Sequence, residues 1–461
     1  MAYTGFITQI KNIHKHPNAD RLQMGECFGN TVIVGLEYVE NQIGVYFPVD
    51  GQLSEEFCKV NDLVRRKDEN GNNCGGYLDP VKRNIRAMKL RGERSDGLFL
   101  PLTCLTNFTK ISDLKVGDLV DYYGATEICR KYIPITNSSS KYYGIKVAKA
   151  KVNFAPTFYE HIDTPQLAYN LNAFKSGDIV ELTLKMHGTS GRTGYLPLVK
   201  TKKTWFDKLF KRHGKDYKEY GYVTGTRRVV LDSNHSGGFY DDNSFREFMA
   251  KKFEGKLHKG ETVYYEIVGF QGPEGAPIMS SVKNSKIADK AFSKQYGEET
   301  VFSYGCNQYS DYEPDQYRED DTCGRGYRTG VCCDLYVYRM TMVNEDGDTV
   351  EYSPDQMRNR CEMIGVHYVP VFERFIIPDS DVEAGEYVVR EVEKYFDGPD
   401  PIGKTHVREG VVARIINRPF ISVYKHKNFS FKCLEGLAKD EAAAPDMEEA
   451  QEEISNEENN I

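Results

Sequence analysis

No stretch of this chain approaches the ~20 consecutive apolar residues that span a bilayer, so its 40% hydrophobic content is expected to fill a core. The cysteines lack a pattern. Eleven is an odd count, no Cys-x-x-Cys pair occurs, and Cys323 with the Cys332-Cys333 doublet fits no common zinc spacing. Reduced thiols in an intracellular, cytoplasmic protein are expected. The opening residues, Met1-Ala2-Tyr3-Thr4-Gly5-Phe6, lack a basic region followed by an apolar core, so no secretory signal is expected. Positive charge is not in excess either. The formal net charge of −8 argues at first sight against a nucleic-acid partner.

The location of that charge removes the objection. Residues 441–461 carry Glu441, Asp446, Glu448, Glu449, Glu452, Glu453, Glu457 and Glu458 and no lysine or arginine. Without these eight, 60 of the 68 acids remain against 60 bases, and the rest of the chain is neutral. An apolar-poor acidic stretch cannot bury enough surface to fold, so 438–461 is expected to be a disordered tail. At 461 residues the chain is long enough for two or three domains.

Residues 1–130 are rich in short β-biased runs closed by turn signals, among them Thr31-Val32-Ile33-Val34-Gly35-Leu36, Ile43 to Gly51 and Gly97 to Leu102. Many strands with little helix predict a small β-barrel. Two segments, His16-Pro17-Asn18-Ala19-Asp20-Arg21-Leu22 and Ile85 to Gly92 leading into Ser95-Asp96-Gly97-Leu98, resemble OB-like RNA-binding modules. The first also reads as a plain turn set by Pro17 and Asn18. Lys82, Arg83, Arg86, Lys89, Arg91 and Arg94 read equally as a phosphate-contacting face or a solvated barrel rim. The polar run Thr136 to Lys141 marks a linker over 131–150, and 151–437 forms the main domain.

In that domain, Lys185 ends an apolar run, Ile179 to Leu184, and is followed by Met186-His187-Gly188-Thr189-Ser190. An amine at a strand end beside small turn residues can meet a phosphate closely approached by backbone. Further strand-like runs carry Glu266 (Tyr265-Glu266-Ile267-Val268), Tyr338 with Tyr336 (Tyr336-Val337-Tyr338-Arg339), Glu409 (Arg408-Glu409-Gly410-Val411-Val412) and the alternating pair Lys425 and Lys427. A carboxylate among apolar neighbours is costly unless it is paired or holds a metal. Lysine, glutamate, aromatic, glutamate and paired lysines, in that order, resemble the covalent nucleotidyltransferases: polynucleotide ligases and capping enzymes.

The resemblance implies an α+β fold in which an N-terminal OB-like β-barrel precedes an antiparallel-sheet nucleotidyltransferase domain. With residues 428–461 alone after Lys427, a C-terminal OB domain is not expected. This order is most similar to ATP-dependent RNA ligases with an N-terminal OB module. By that likeness Lys185 is the nucleophile that accepts AMP from ATP, assisted by Lys425 and Lys427, whose positive charge disfavours the ammonium form. His187, Gly188, Arg227, Glu266 and Tyr338 contact the nucleotide, and Glu409 binds Mg²⁺ or Mn²⁺. Arg228 competes with Arg227 for the phosphate role, and Tyr336 with Tyr338 for the stacking role. His187, where DNA ligases usually carry aspartate, points to the RNA-joining branch. The implied partner is RNA with 3′-OH and 5′-phosphate ends, nicked duplex included, acted on by a monomer without membrane attachment. A DNA ligase and a non-catalytic RNA-binding protein are the competing readings.

Two stretches depart from the family pattern. Lys200 to Tyr220 interleaves Lys200, Lys202, Lys203, Lys208, Lys211, Arg212, Lys215 and Lys218 with Trp205, Phe206 and Phe210. This suits single-stranded nucleic acid; an amphipathic helix has similar composition, but the position between two site motifs favours RNA contact. Residues 306–333, rich in Tyr, Asp, Gly and Cys, suggest no chemistry.

Overall fold

The computed structural model describes residues 3–133, 155–227, 230–231, 244–313, 318–319, 326–327 and 330–440, apart from 68, 70, 72, 204, 206–209, 211–213, 288 and 381. The acidic tail, the linker, Arg228, and Phe206, Lys208, Lys211 and Arg212 of the first insert lie outside the described residues. The chain divides into two compact units.

The first unit comprises Met1–Thr136 with Lys283–Glu298 and Asn428–Ala442. Strand alternation builds its core. In the antiparallel order Leu98–Pro101, Ile43–Phe47, Gly5–Gln9, Leu119–Val120, the register sets Leu100 opposite Val45 and Val45 opposite Ile7. These side chains share one face and are buried with Phe47, Leu53, Phe57 and Ile128. Helix Glu55–Val60, capped by the Ser54 hydroxyl accepting from the Phe57 amide, brings Phe57 edge-on to Phe47 with ring centroids 5.7 Å apart. A separate meander pairs Lys11–Lys15, Leu22–Cys27 and Asn30–Gly35. The sequence predicts one closed barrel here, whereas among the described residues these strands form separate sheets. The division falls at Ile10, which separates Gly5–Gln9 of one sheet from Lys11–Lys15 of the other.

The plain turn accounts for His16 to Leu22. His16 is buried; its Nδ1 accepts from the Asn18 amide (3.0 Å) and its Nε2 donates to the Leu90 carbonyl (3.1 Å). Members of the basic cluster are engaged internally. The Arg83 Nε donates to the Leu53 carbonyl, Lys89 pairs with Asp289, and Arg94 lies 5.1 Å from the Phe429 ring centroid. Helix Phe429–Asp440 also belongs to this unit: Phe431 and Leu434 are fully buried, and Lys432 reaches Asp96 at 2.5 Å.

Among the described residues the second unit comprises 155–282 and 299–427. One sheet runs Val371–Ile376, Ile179–Lys185, Gly410–Ile415, Ser422–Lys427, all antiparallel. Period-two alternation sends Val180 and Leu182, with Val411, Ala413 and Ile415, into a core shared with Val388 and Val392 of helix Ala384–Glu393. Glu181, Thr183 and Lys185 occupy the opposite face. Glu181 is wholly buried there and fully satisfied, accepting from Arg358 (2.7 Å), Arg374 (2.7 Å) and the Tyr368 hydroxyl (3.0 Å). Arg358 is delivered by helix Pro354–Ile364, which starts with a Ser353/Gln356 capping box and ends at left-handed Gly365.

The larger sheet orders Val230–Leu231, Lys215–Gly225, Thr189–Lys202, Glu261–Gly269, Cys333–Val343 and Thr349–Glu351. Most of the first insert's centre, 204 and 206–209 with 211–213, lies outside the described residues. The insert's flanks extend this sheet as an antiparallel ribbon whose register holds out to Lys202 opposite Lys215.

Candidate active site

Lys185 ends its strand directly opposite Gly410, which stands opposite Lys427 on the other side, so one row carries both lysines with a glycine between them. Glycine is required in that row. Gly410 has φ +153°, and a Cβ there would lie 2.0 Å from the His426 carbonyl oxygen. The residue before it, Glu409, is buried and receives both amines: Lys185 Nζ and Lys427 Nζ each lie 3.2 Å from its carboxylate. The sequence suggested an amine among cations and bounded by two carboxylates, and Glu409 sits between the Lys185 and Lys427 amines. Lys425 stands two residues along the strand, opposite Val412, with its amide donating to the Pro165 carbonyl (2.9 Å).

The turn after Lys185 is held by three contacts. The amide of His187 donates to the Tyr304 hydroxyl (2.8 Å), the amide of Gly188 donates to Glu266 (3.1 Å), and the Ser190 hydroxyl donates to the other oxygen of Glu266 (3.3 Å). Gly188 has no room for a side chain, since a Cβ would meet the Ile267 carbonyl oxygen at 2.2 Å. The His187 ring packs edge-on against Phe302 (4.7 Å) with Nδ1 3.9 Å from Glu409. Burial pushes the Glu266 carboxyl up to about 7. Lys185 opposes that shift, Glu409 adds to it, and the Gly188 amide and Arg227 also oppose it.

Tyr338 lies within electrostatic reach of Glu266 and Arg227 and hydrogen-bonds the Ser190 side chain; burial raises its hydroxyl pKa. It is the extra residue of a bulge, because the partner strand steps from Tyr264 opposite Arg339 to Tyr265 opposite Val337. Tyr336 is already stacked on His367, with centroids 5.3 Å apart. Arg227 forms an ion pair with Asp163. The residues singled out from sequence, Lys185, His187, Gly188, Arg227, Glu266, Tyr338, Glu409 and Lys427, therefore converge on one cluster, and Lys425 flanks it.

Three further residues escaped the sequence reading. Tyr304 is buried at φ +49°, a left-handed conformation costly for a tyrosine and retained where its hydroxyl holds the His187 amide. Arg246 braces the next strand through the Ser190 carbonyl (2.9 Å) and the Thr189 hydroxyl. His161 stands edge-on to Tyr338 (4.9 Å); burial and the guanidinium groups of Arg339, Arg227 and Arg414 hold it well below the ordinary histidine pKa, and Asp163 beside it opposes them. No local pattern marks these positions.

Solved structures share this architecture. An apo aspartate-to-alanine mutant of Naegleria gruberi RNA ligase matches 94% of this chain and 97% of its own length, with a TM-score of 0.54 and 15% identity. A lysine-to-alanine mutant of that ligase with ATP and Mn matches 95% and 99%, with a TM-score of 0.53 and 14% identity. A lysine-to-methionine mutant with AMP and Mn matches 93% and 97%, at 0.52 and 15%. This chain has the fold of an RNA ligase. It matches no protein-family model and no curated protein sequence. At this low identity the ligase fold persists through its core alternation and strand order, which many sequences can satisfy.

Proposed function

We propose that this protein is an ATP-dependent RNA ligase, an intracellular enzyme of RNA repair or nick sealing that joins 3′-OH and 5′-phosphate RNA ends through a lysyl-AMP on Lys185. The observation that carries the reading is the convergence of the Lys185 and Lys427 amines on Glu409, beside a turn tied to Glu266. In this reading the Lys185 amine attacks the α-phosphorus of ATP, forming a P–N bond as pyrophosphate leaves. The AMP then passes to the 5′-phosphate of RNA, restoring the lysine. A 3′-hydroxyl displaces AMP and seals the phosphodiester.

Lys427 and Lys425 hold the α-phosphate and stabilise charge that develops on it. Gly188, lacking a side chain, lets the phosphate approach the backbone, and Tyr338 packs on the base with Glu266 and His187 flanking the sugar and phosphates. Arg227 grips a phosphate. Glu409, with Glu266 nearby, offers hard oxygen donors in a cleft where nucleotide phosphates complete the shell, which fits Mg²⁺ or Mn²⁺. The bound metal would neutralise triphosphate charge. The first unit serves as the RNA-binding module and the second as the catalytic domain.

Incubation with α-labelled ATP and metal tests the proposal. The wild-type chain is expected to take covalent label, and Lys185→Ala to take none; full labelling of that variant would place the nucleophile elsewhere. A chase with nicks that differ only in a 3′-ribose or 3′-deoxyribose separates RNA from DNA joining.

A further inference from the structure

The sheet that carries Glu266 continues well past what its core needs. Along Thr189–Lys202 the inward residues Leu196 and Leu198 pack with Phe158 and Val223, and that cluster ends at Leu198. Beyond it the pairs Val199–Lys218, Lys200–Tyr217, Thr201–Asp216 and Lys202–Lys215 form a largely exposed two-stranded ribbon. A lone ribbon of this kind is marginal in water. Like charges directly opposite each other, as Lys202 and Lys215 are, weaken it further.

These pairs therefore give the fold little, while their chemistry suits a polyanion. Lys200, Lys202, Lys203, Lys215 and Lys218 face two acids, Asp216 and Glu219. Lys200 is paired with Glu219 (2.8 Å) and Asp216 is bonded to Thr201 (2.5 Å). Among the described residues, Lys202, Lys215 and Lys218 have no ion-pair partner. Aromatic rings accompany the amines. Tyr217 is 45% exposed opposite Lys200, and at the ribbon's base Tyr195 stacks on Tyr222 (4.8 Å) and leans on Tyr220, over which Lys259 sits at 5.0 Å. Amines for phosphates interleaved with ring faces for bases are what unpaired nucleic acid binds.

We propose that this ribbon, Val199–Lys203 with Gly214–Tyr220, is a docking arm for single-stranded RNA flanking the break. The inference rests on the RNA ligase reading of the cleft. Its geometry adds a length condition. Ser190, bonded to Glu266, and Lys202 are on the same strand, so at about 3.4 Å per residue the lysine tip lies roughly 40 Å from the cleft. Only RNA that extends well past the ends to be joined can reach it.

Fluorescence anisotropy with the full-length chain tests this, using single-stranded RNAs of about 6 and about 20 nucleotides. For the variant Lys202→Ser/Lys215→Ser/Lys218→Ser, affinity for the longer RNA is expected to fall about tenfold at about 0.1 M salt. The slope of log affinity against log salt should drop by roughly 2, since each lost single-strand phosphate contact is worth about 0.7. Tyr217→Ser should weaken the longer RNA with the slope unchanged. Binding of the short RNA and labelling of Lys185 by ATP should stay at wild-type levels, which shows an intact cleft. Unchanged affinity and slope for the longer RNA would overturn the proposal, as would equal losses for short and long RNA, or a loss confined to fully duplex RNA. A wild-type chain that takes no label would overturn the ligase reading, and with it the placement of the arm beside a break, whatever the anisotropy shows.

Discussion

Glu266 has the most consequential titration in the cleft. Its folded-state value near 7 stands above the ordinary 4.5, so the folded chain holds this proton more tightly than the unfolded chain does. The contribution therefore favours folding fully below about pH 4.5 and is lost as pH rises toward 7. Glutamine keeps the shape and cannot titrate. Glu266→Gln is expected to gain stability relative to wild type between pH 5 and 7.5, by on the order of 2 kcal/mol. Denaturant midpoints measured across that range check this, and parallel profiles for the two proteins would show the carboxyl is not shifted. Glu266 was legible in sequence as a carboxylate among apolar residues. Its partners were not: the Gly188 amide and the Ser190 hydroxyl come from a turn 76 to 78 residues earlier.

The strand Ile179–Lys185 shows how one element serves two ends. Its apolar face is anchored in a helix-covered core, and on its other face Glu181 is fixed by Arg358, Arg374 and Tyr368 four residues before Lys185. This fixed carboxylate anchors the strand near the end that presents the amine. Glu181→Ala would leave two guanidinium groups without their buried counter-charge, at an expected cost of about 3–5 kcal/mol. Thermal unfolding reads that loss, and a variant that melts with wild type would mean the arginines re-pair fully with Asp355, which both already touch. The strand itself is plain in the sequence, because period-two alternation is a local property. Tyr368 and both arginines lie more than 170 residues away and carry no local signal.

At the scale of the molecule, the sequence reading and the structure differ most over the residues after Lys427. From sequence they looked like the end of the catalytic domain and an acidic tail. Helix Phe429–Asp440 instead packs within the first unit, burying Phe431 and Leu434 and pairing Lys432 with Asp96. A chain ending at Asn428 is expected to lose on the order of 5 kcal/mol of first-unit stability, the combined cost of two large buried side chains and an ion pair. Circular dichroism of that truncation against the intact chain measures it. An unshifted first transition would show the helix to be dispensable.

The sequence by itself determined the strands and their buried faces, the lysine at a strand end, the glutamates set among apolar neighbours, and the order in which these occur. Each of these is a matter of alternation and residue type within a few positions of the chain. Only the tertiary structure decided that Glu409 lies between the two amines, that Tyr304 takes a left-handed conformation where it holds the His187 amide, and that the flanks of the first insert pair as a ribbon. It also broke the expected N-terminal barrel into separate sheets. Those outcomes depend on strand register and on close approach between segments hundreds of residues apart, where a single pleat or the absence of one Cβ changes which groups meet.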